Sequence, residues 1–541
     1  DGRPSLRTYY DVSGRETRNM KQGCNGTWIY QTYIYDSQGR LWKMSEPFYT
    51  SSPILYTVYE YDALHRMTRE TAPGNRVRTM SYNGLTQTTT NPNGQQLVET
   101  RDALGNLVST LNHLGHYTYQ FYDSFDNLIE IRDGKGTQTH MQYDVLGRKI
   151  QIQDPNAGTI SYTYNAFNEM LTEINARNQT TTFSYDKLGR MTQRVEPEGT
   201  TTWTYDIGNK AKSRLYQVTG PSGYQETYSY DSYSRLYKTR YTGPGGTFNI
   251  QTSYDNYGRP LKVTYPSIFH SQNHYDVAGY LYEVRNANNN AKFWTLEAMT
   301  PRDQWARARA GNNKVTNYTY DNDRGVVTRI YTKGVQDLHF TFDKVGNLTQ
   351  RRDAARNLTE DFLYDGLNRL ISTHAGTAGS TTITYDESGN ITYRSDAGCY
   401  EYGGTGPQAV TRLKDDAGGT LKTFSYDASG NMTQNHNAKI KYTSYNKPYE
   451  FQEGRERIEI DYGPGRSRQT QRVYKSNSLQ KTIRYVGSIY EQHKIGGTTR
   501  KIHYIMAGNK AVAIHTKTEQ ASHDDQPIKV AVGGQVGAVS I

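Results

Sequence analysis

The sequence predicts an all-β fold, in which a spiralling strip of antiparallel β-hairpins forms a hollow shell. Three observations support this prediction: a short tyrosine–aspartate unit recurs along the chain, hydrophobic residues make up only 34% of the 541 residues, and 48 residues are tyrosine. A typical globular domain is about 45–50% apolar. Because tyrosine combines an apolar ring with a polar tip, it suits a sheet that has water on at least one face.

The repeat is a Tyr-Asp pair that returns at nearly constant spacing. From Tyr122 the steps are 21, 21, 21 and 20 residues. The pair itself occurs at Tyr10, Tyr35, Tyr61, Tyr122, Tyr143, Tyr185, Tyr205, Tyr230, Tyr254, Tyr275, Tyr320, Tyr364, Tyr385 and Tyr426. The gaps after Tyr275 and Tyr385 are each close to two periods, so each predicts one eroded unit, around 302–306 and at Tyr402-Gly403. We expect the segment 295–310 to fill the first of these units and not to form a helix.

Each pair is followed by the residues of a tight turn. Glycine stands three residues after the aspartate in many units, as at Gly14, Gly147 and Gly189, and asparagine or aspartate replaces it at Asn168, Asn368 and Asp126. These residue types best tolerate a left-handed backbone. We therefore predict that the aspartate accepts a hydrogen bond from a nearby backbone N–H, and that the glycine position has a positive φ.

The segments before the turns alternate as β-strands do. In 181–185, Phe183 and Tyr185 share one predicted face, while Thr182 and Ser184 share the other. A second turn in each unit is marked by glycine or proline, as in 197–199. One period therefore contains two strands of about 6–8 residues and two turns.

The strip must curl, because a long flat sheet opposes the natural twist of β-strands. About 50 strands at about 4.8 Å give a strip on the order of 240 Å long. A tube of about 30–35 Å radius would then be circled a little more than once. The predicted domains are a repeat shell over residues 1–515 and a non-repeat C-terminal tail over residues 516–541.

Charge and cysteine content exclude several classes of protein. The net charge of +10 permits an anionic partner, but lysine and arginine are spread evenly, so we expect no nucleic-acid partner. Cys24 and Cys399 are too few for a disulfide framework. No apolar stretch approaches the roughly 20 residues of a membrane-spanning helix, so we expect no membrane span.

The Tyr-Asp-x-x-Gly-Arg unit resembles the Rhs/YD-repeat family, over roughly residues 1–515. That family includes bacterial Rhs polymorphic toxins, the B–C shell of insecticidal Tc toxin complexes, wall-associated proteins and the animal teneurins. The resemblance implies a secreted or cell-surface location and a shell that encloses a toxic cargo. The implied partners are that cargo and the rest of the shell or the secretion apparatus.

The sequence departs from the family after the repeats. Neither the family's Asp-His-Leu-Gly-Ser segment nor its Asp-Pro-x-Gly-Leu cleavage motif is found, and Asp154-Pro155 lies inside a repeat. We therefore expect the chain to stop before the family's core domain. We predict no enzyme activity, no catalytic residue, no cofactor and no metal site.

Two histidine sets and several sequons have alternative interpretations. His270 and His274 share one face of a strand but lie about 13 Å apart, too far for one metal. His503, His515 and 523–525 could form a catalytic or metal-binding cluster, but a solvated tail is the favoured interpretation. Asn-x-Thr sequons at Asn317, Asn347, Asn357, Asn390 and Asn431 could carry glycans, yet the turn exit of the repeat explains Asn347, Asn390 and Asn431.

Two functions follow from this sequence. The first is a structural, encapsulating shell segment of a secreted bacterial Rhs/Tc-like toxin, which acts by physical exclusion. The second is a cell-surface adhesion or carbohydrate-binding module, because exposed tyrosines suit stacking on sugars.

Overall fold

The protein is described here from a computed structural model, which covers residues 2–376, 379–404 and 406–520. This part of the chain forms 48 β-strands, and each strand pairs antiparallel with the next one in sequence. The predicted all-β hairpin strip is therefore confirmed. Among the described residues, no helix is long and apolar enough to span a membrane.

The first 24 strands, called the first coil, cover residues 6–264. They are β1 Leu6–Tyr10, β2 Glu16–Gln22, β3 Trp28–Tyr35, β4 Leu41–Ser45, β5 Tyr56–Tyr61, β6 Met67–Ala72, β7 Arg76–Asn83, β8 Thr86–Thr90, β9 Gln96–Arg101, β10 Leu107–Leu111, β11 Tyr117–Tyr122, β12 Leu128–Arg132, β13 Gln138–Tyr143, β14 Lys149–Asp154, β15 Gly158–Tyr164, β16 Met170–Ile174, β17 Thr180–Tyr185, β18 Met191–Glu196, β19 Gly199–Tyr205, β20 Leu215–Thr219, β21 Gln225–Tyr230, β22 Leu236–Gly243, β23 Gly246–Tyr254 and β24 Pro260–Thr264. Short 3₁₀ turns lie at Cys24–Gly26 and Pro221–Gly223.

The remaining 24 strands, called the second coil, cover residues 270–519. They are β25 His270–Tyr275, β26 Leu281–Asn286, β27 Lys292–Met299, β28 Trp305–Ala310, β29 Val315–Tyr320, β30 Val327–Thr332, β31 Gln336–Phe342, β32 Leu348–Asp353, β33 Leu358–Tyr364, β34 Leu370–Ala375, β35 Ser380–Tyr385, β36 Ile391–Arg394, β37 Gly398–Gly403, β38 Gly406–Lys414, β39 Thr420–Tyr426, β40 Met432–Asn435, β41 Ala438–Tyr442, β42 Pro448–Glu453, β43 Glu456–Tyr462, β44 Arg468–Lys475, β45 Ser478–Val486, β46 Tyr490–Ile495, β47 Thr498–Ala507 and β48 Lys510–Glu519. The last strand runs past the predicted boundary at residue 515; residues 521–541 of the predicted tail lie outside the described residues.

Both eroded units lie where the spacing predicts them. β27 and β28 are joined by a turn in which Thr300 N donates to Gln304 O at 2.8 Å, the same pattern that Asp11 N and Arg15 O form in the first unit. Tyr402 pairs with Val410 of β38 and its Oη donates to the carbonyl oxygen of Ile391 at 2.8 Å. The segment 295–310 is therefore a hairpin and not a helix.

The strands keep the predicted alternation, with an irregularity beside each Tyr-Asp turn. In β17, Thr181, Phe183 and Tyr185 are more buried than Thr180, Thr182 and Ser184. The register shifts between Ser184 and Tyr185, where Tyr185 pairs with Met191. A β-bulge of this kind increases the local twist of a hairpin. Because it recurs in most units, it helps the strip to coil.

The strip has two edges, and they meet each other. Turns that follow odd-numbered strands carry the Tyr-Asp units and form the Tyr-Asp edge, while turns that follow even-numbered strands form the return edge. The return edge of the first coil contacts the Tyr-Asp edge of the second coil along a line called the seam. Residues that bond across the seam are 236 to 282 apart in sequence.

The seam shows that the strip circles about twice. Each turn contains about 24 strands, or roughly 115 Å of strip. The expectation of a wider tube that is circled a little more than once is therefore wrong. That expectation left the tube radius unconstrained. The docking of one edge of the strip on the other sets the radius.

Candidate functional site: turn ladder, seam and rims

The Tyr-Asp turn is held by its aspartate. Oδ1 of Asp11 accepts hydrogen bonds from the backbone N–H groups of Ser13 at 2.8 Å and Arg15 at 3.0 Å, while Oδ2 accepts one from Arg15 Nε at 2.8 Å. These bonds hold the pKa of Asp11 below its ordinary value, and the backbone N–H of Arg15 is the main cause. Gly14 has a φ of 76°. Both predictions about the turn are confirmed.

Arginine links each turn to the next. Arg40 bonds Asp36 in its own turn and lies over the ring of Tyr61, 4.9 Å from its centroid, while its Nη1 donates to the carbonyl oxygen of Asp62. The same stacking joins Arg15 to Tyr35, Arg66 to Tyr82, Arg148 to Tyr164, Arg190 to Tyr205, Arg235 to Tyr254, Arg259 to Tyr275 and Arg369 to Tyr385. The result is a ladder of aspartate, arginine and tyrosine along the Tyr-Asp edge.

The tyrosine of each unit adds a rung on the same edge. Tyr143 Oη donates to the carbonyl oxygen of Leu128 at 3.0 Å, which is the residue that opens the neighbouring strand β12. The corresponding bonds join Tyr61 to Leu41, Tyr82 to Met67, Tyr122 to Leu107, Tyr164 to Lys149, Tyr185 to Met170, Tyr205 to Met191, Tyr230 to Leu215, Tyr275 to Pro260, Tyr320 to Trp305, Tyr364 to Leu348, Tyr385 to Leu370 and Tyr426 to Val410. The abundant tyrosines are therefore part of the wall itself.

Charged and polar side chains close the seam. Glu196 of the return edge is only 6% exposed and lies between Arg194 and Arg466, with a 2.6 Å contact to Arg466 Nη2. Nearby, Glu198 accepts hydrogen bonds from the backbone N and the Oγ of Ser444. Other contacts of the seam are Lys21–Asp303, Glu46–Arg302, Asn93–Asp343, Asp133–Ser388, Asn156–Gln408 and Asn175–Ser444.

The last hairpin packs through an apolar cluster on the start of the second coil, where the first coil passes into it. Ile505 and Ala513 of this hairpin are fully buried against a group that includes Val284 and Phe293. Tyr265 Oη donates to the carbonyl oxygen of Tyr504 at 2.9 Å. This cluster fixes the end of the second coil at the junction between the end of the first coil and the start of the second.

His503 lies inside this junction. Its side chain is 0% exposed, bonds Ser267 through Nε2 and lies 2.9 Å from the carbonyl oxygen of His515 through Nδ1. Burial lowers the pKa of His503 to about 4. The ring of His515 stacks on Phe269 at 4.2 Å. The interpretation of a solvated tail is therefore wrong for both histidines, since the seam covers them; residues 523–525 lie outside the described residues.

A cavity of about 730 Å³ lies at the seam beside Glu198. Tyrosine rings of both coils line it, among them Tyr224, Tyr442 and Tyr445. Burial raises the pKa of the Tyr224 phenol. The surface of this cavity therefore combines aromatic and charged groups.

The other residues singled out from the sequence belong to the wall. His270 Nδ1 lies 2.9 Å from Thr264 Oγ1, and His274 lies further along the same strand. Within the described ranges, no group of three or more histidine, cysteine, aspartate or glutamate side chains is arranged to hold a metal ion. Asn347 Nδ2 donates to Asp343 and Asn390 Nδ2 to Asp386, so these asparagines take the arginine position of the turn, as the repeat predicts.

Sequence reasoning missed the seam residues, although one signal for them exists. Eight return turns of the first coil contain proline, at Pro47, Pro73, Pro92, Pro155, Pro197, Pro221, Pro244 and Pro266. The return turns of the second coil contain no proline. The docked edge and the free edge therefore differ in composition.

Comparison with known proteins identifies the repeat and the fold. The RHS Repeat family model matches residues 122–159 and 164–201. No curated protein matches the chain. Among solved structures, TcdB2-TccC3 without its hypervariable C-terminal region aligns with a TM-score of 0.82 at 14% identity, over 98% of this chain and 33% of the other. A Tc holotoxin pore from Photorhabdus luminescens aligns with a TM-score of 0.79 at 14% identity, over 96% and 32%. This chain thus spans about a third of their length, and at this identity the likeness establishes the fold.

Proposed function

Because the chain is an RHS/YD-repeat protein with the fold of the Tc toxin shell, we propose that it is a wall segment of a secreted bacterial shell that encloses a C-terminal toxic cargo. The observation that carries this proposal is the seam. A strip whose return edge docks on its own Tyr-Asp edge is a continuous wall around a lumen. Glu196 and Arg466, which are 270 positions apart in the sequence, bond to each other in that wall.

The proposed mechanism is physical exclusion. The wall is held by the ladder along the Tyr-Asp edge and by the seam between coils, and we propose that it folds without cargo. Among the described residues, only 14 hydrophobic side chains are buried outside the cluster at the last hairpin. A lumen with such a half-polar lining offers little apolar surface on which an enclosed chain could complete its own folding. We propose no enzymatic role, cofactor or metal for the wall.

A protection experiment tests the proposed function. The chain is fused at its C-terminus to an unfolded, protease-sensitive reporter and compared with the same fusion carrying Glu196→Ala and Arg466→Ala. Encapsulation predicts slow digestion of the reporter in the parent fusion and fast digestion in the variant. Equal digestion rates in two folded proteins, or electron micrographs that show a solid particle, would contradict the proposal.

A carbohydrate-binding function is the second candidate, and one surface favours it. The rings of Tyr117 and Tyr119 stack at 5.5 Å on the exposed face of β11, and Phe121 continues the row. Exposed aromatic rows can stack on sugar faces. Binding on a glycan array that Tyr117→Ala and Tyr119→Ala abolish would support this function, and absence of binding by the parent chain would exclude it for the arrayed glycans.

A further inference from the structure

A second cavity, of about 570 Å³, lies at the seam next to the cavity described above. Strands β18 to β22 of the first coil line one side of it, and the turn 463–467 with the start of β44 lines the other. Aromatic rings come from both coils, among them Trp203, Tyr228, Tyr241 and Tyr485. A cavity of this size, with aromatic walls and a small number of charged groups, is typical of a site for a small organic ligand.

Glu226 is the acidic side chain of this cavity. It lies in a cross-strand row, in which Trp203 pairs with Val218, Val218 with Glu226, and Glu226 with Tyr241. Val218 is only 4% exposed. Because directly paired residues share one face of a sheet, the carboxyl group stands between an apolar and an aromatic side chain. Burial there raises the pKa of the Glu226 carboxyl.

Glu226 has a hydroxyl partner but no cationic partner. Tyr228 Oη donates to Glu226 Oε2 at 2.5 Å. In the part of the chain that the structure describes, no lysine, arginine or histidine forms an ion pair with this carboxylate. A carboxylate removed from water is costly unless a cation or further hydrogen bonds compensate for the lost hydration. Oε1 and the negative charge are therefore available to a ligand.

Three arginines also line the cavity, and one of them differs from the other two. Arg194 and Arg466 both bind Glu196, which compensates much of their charge. Arg468 is exposed and lies over the ring of Tyr485, 5.0 Å from its centroid, and among the described residues it forms no ion pair. The two unpaired charges of the cavity therefore have opposite signs and belong to different coils.

We propose that this cavity binds a short zwitterion with an apolar body, such as a tripeptide with free termini. The ammonium group of the ligand bonds Glu226 and lies near the ring of Tyr241, because ring faces attract cations. Its carboxylate bonds the guanidinium of Arg468. Arg468 does not influence the pKa of Glu226, so the two charges are well separated. An extended tripeptide spans about 10 Å and can reach both.

Calorimetric titration with the tripeptide Gly-Phe-Gly tests the proposal, which goes beyond the proposed role of the chain as wall. Two analogues of the peptide each lack one charge: N-acetylation removes the ammonium group, and C-amidation removes the carboxylate. The parent chain should bind the free tripeptide, and each analogue should bind roughly tenfold more weakly, because a hydrogen bond between charged groups is lost.

Substitutions assign each charge of the ligand to its partner. Glu226→Gln should weaken binding of the free tripeptide roughly tenfold and leave the affinity for the acetylated analogue unchanged. Arg468→Gln should have the same effect on the free tripeptide and none on the amidated analogue. The matched control is Glu173→Gln, at a half-buried carboxylate of β16 outside the cavity, which should bind like the parent. Thermal midpoints verify that all three variants are folded.

Fluorescence of Trp203 locates the bound ligand. The free tripeptide should change the tryptophan emission of the parent chain, and Trp203→Phe should remove that change, since Trp203 lines the cavity. A change that persists in this variant places the ligand elsewhere and overturns the proposal.

Three calorimetric results would also overturn it. They are no binding of the free tripeptide to the folded parent at millimolar concentration, equal affinity for the free and amidated peptides, and unaltered affinity in Glu226→Gln. Equal affinity for the amidated peptide would make the cavity a site for a simple cation. Because no cargo is present in these titrations, their outcome is independent of the encapsulation test.

Discussion

Arg466 of the second coil donates two hydrogen bonds to Oε1 of Glu196 in the first coil, from Nε at 3.0 Å and from Nη2 at 2.6 Å. Arg194 bonds the other carboxylate oxygen of Glu196 at 2.8 Å. One buried carboxylate thus joins Arg194 of β18 to Arg466 in the turn between β43 and β44, far away in the sequence. Charged contacts of this kind, between residues far apart in sequence, hold the two edges of the seam together.

Substitution of this carboxylate should weaken the seam. Glu196→Ala is expected to lower the free energy of unfolding by about 2–3 kcal/mol, because Arg194 and Arg466 lose charged hydrogen bonds inside the wall. Urea denaturation followed by tryptophan fluorescence measures the change. The control is Glu60→Ala at an exposed pair with Arg69 at 3.8 Å, where the loss should stay below about 1 kcal/mol. Equal losses would show that the seam contact has no special role.

Removal of one tyrosine hydroxyl tests the rungs. Tyr143→Phe keeps the ring but loses the bond from Oη to the carbonyl oxygen of Leu128, so the free energy of unfolding should fall by about 1 kcal/mol. Tyr119→Phe, on an exposed ring of the opposite strand face, should change it by less than about 0.5 kcal/mol. Denaturant midpoints at a constant slope measure both effects. A larger effect at Tyr119 would refute the proposed stabilisation by the rungs.

The positive φ of the turn predicts a backbone effect. Gly147 has a φ of 73°, and a Cβ there would meet only Asn127 Oδ1 at 3.4 Å. Gly147→Val should therefore destabilise the wall by about 1–2 kcal/mol through backbone strain and not through a clash. The matched variant is Asn168→Gly, at a φ of 66°, which should be neutral or slightly stabilising. Thermal midpoints of both variants measure the effect. A midpoint for Gly147→Val above that of the parent would contradict the predicted backbone strain.

The buried histidine predicts a pH dependence. Because burial lowers the pKa of His503 to about 4 from an ordinary 6.5, the unfolded chain takes up this proton first. The contribution of His503 to stability is therefore complete above about pH 6.5 and is lost as the pH falls towards 4, on the order of 2–3 kcal/mol. The measurement compares thermal midpoints at pH 7.5 and 4.5 for the parent and for His503→Gln.

The variant isolates this histidine from other titrating groups. His270 and His274 also have lowered pKa values, but they titrate equally in both proteins. The turn aspartates, such as Asp186, have lowered pKa values too, so their contribution is lost only as the pH falls through and below about 4. An unchanged pH dependence in His503→Gln would mean that His503 does not titrate on unfolding.

The repeat unit was predictable from the sequence because its contacts are local. Asp11 meets Ser13 and Arg15 within one turn, and Tyr143 reaches the start of the neighbouring strand. Such contacts recur at a fixed spacing and leave a periodic signal. Even the eroded unit at Thr300–Gln304 could be placed by spacing alone.

The amino-acid sequence therefore specifies the hairpin, its turn chemistry and its repetition into a strip that must curl. The tertiary structure alone decided how many strands complete one turn, which edge docks on which, and that His503 is buried while Leu188 is exposed. The physical reason is distance along the chain. Seam partners such as Glu196 and Arg466 are 270 residues apart and meet only after every intervening hairpin has added its twist, so no local pattern of residues specifies them.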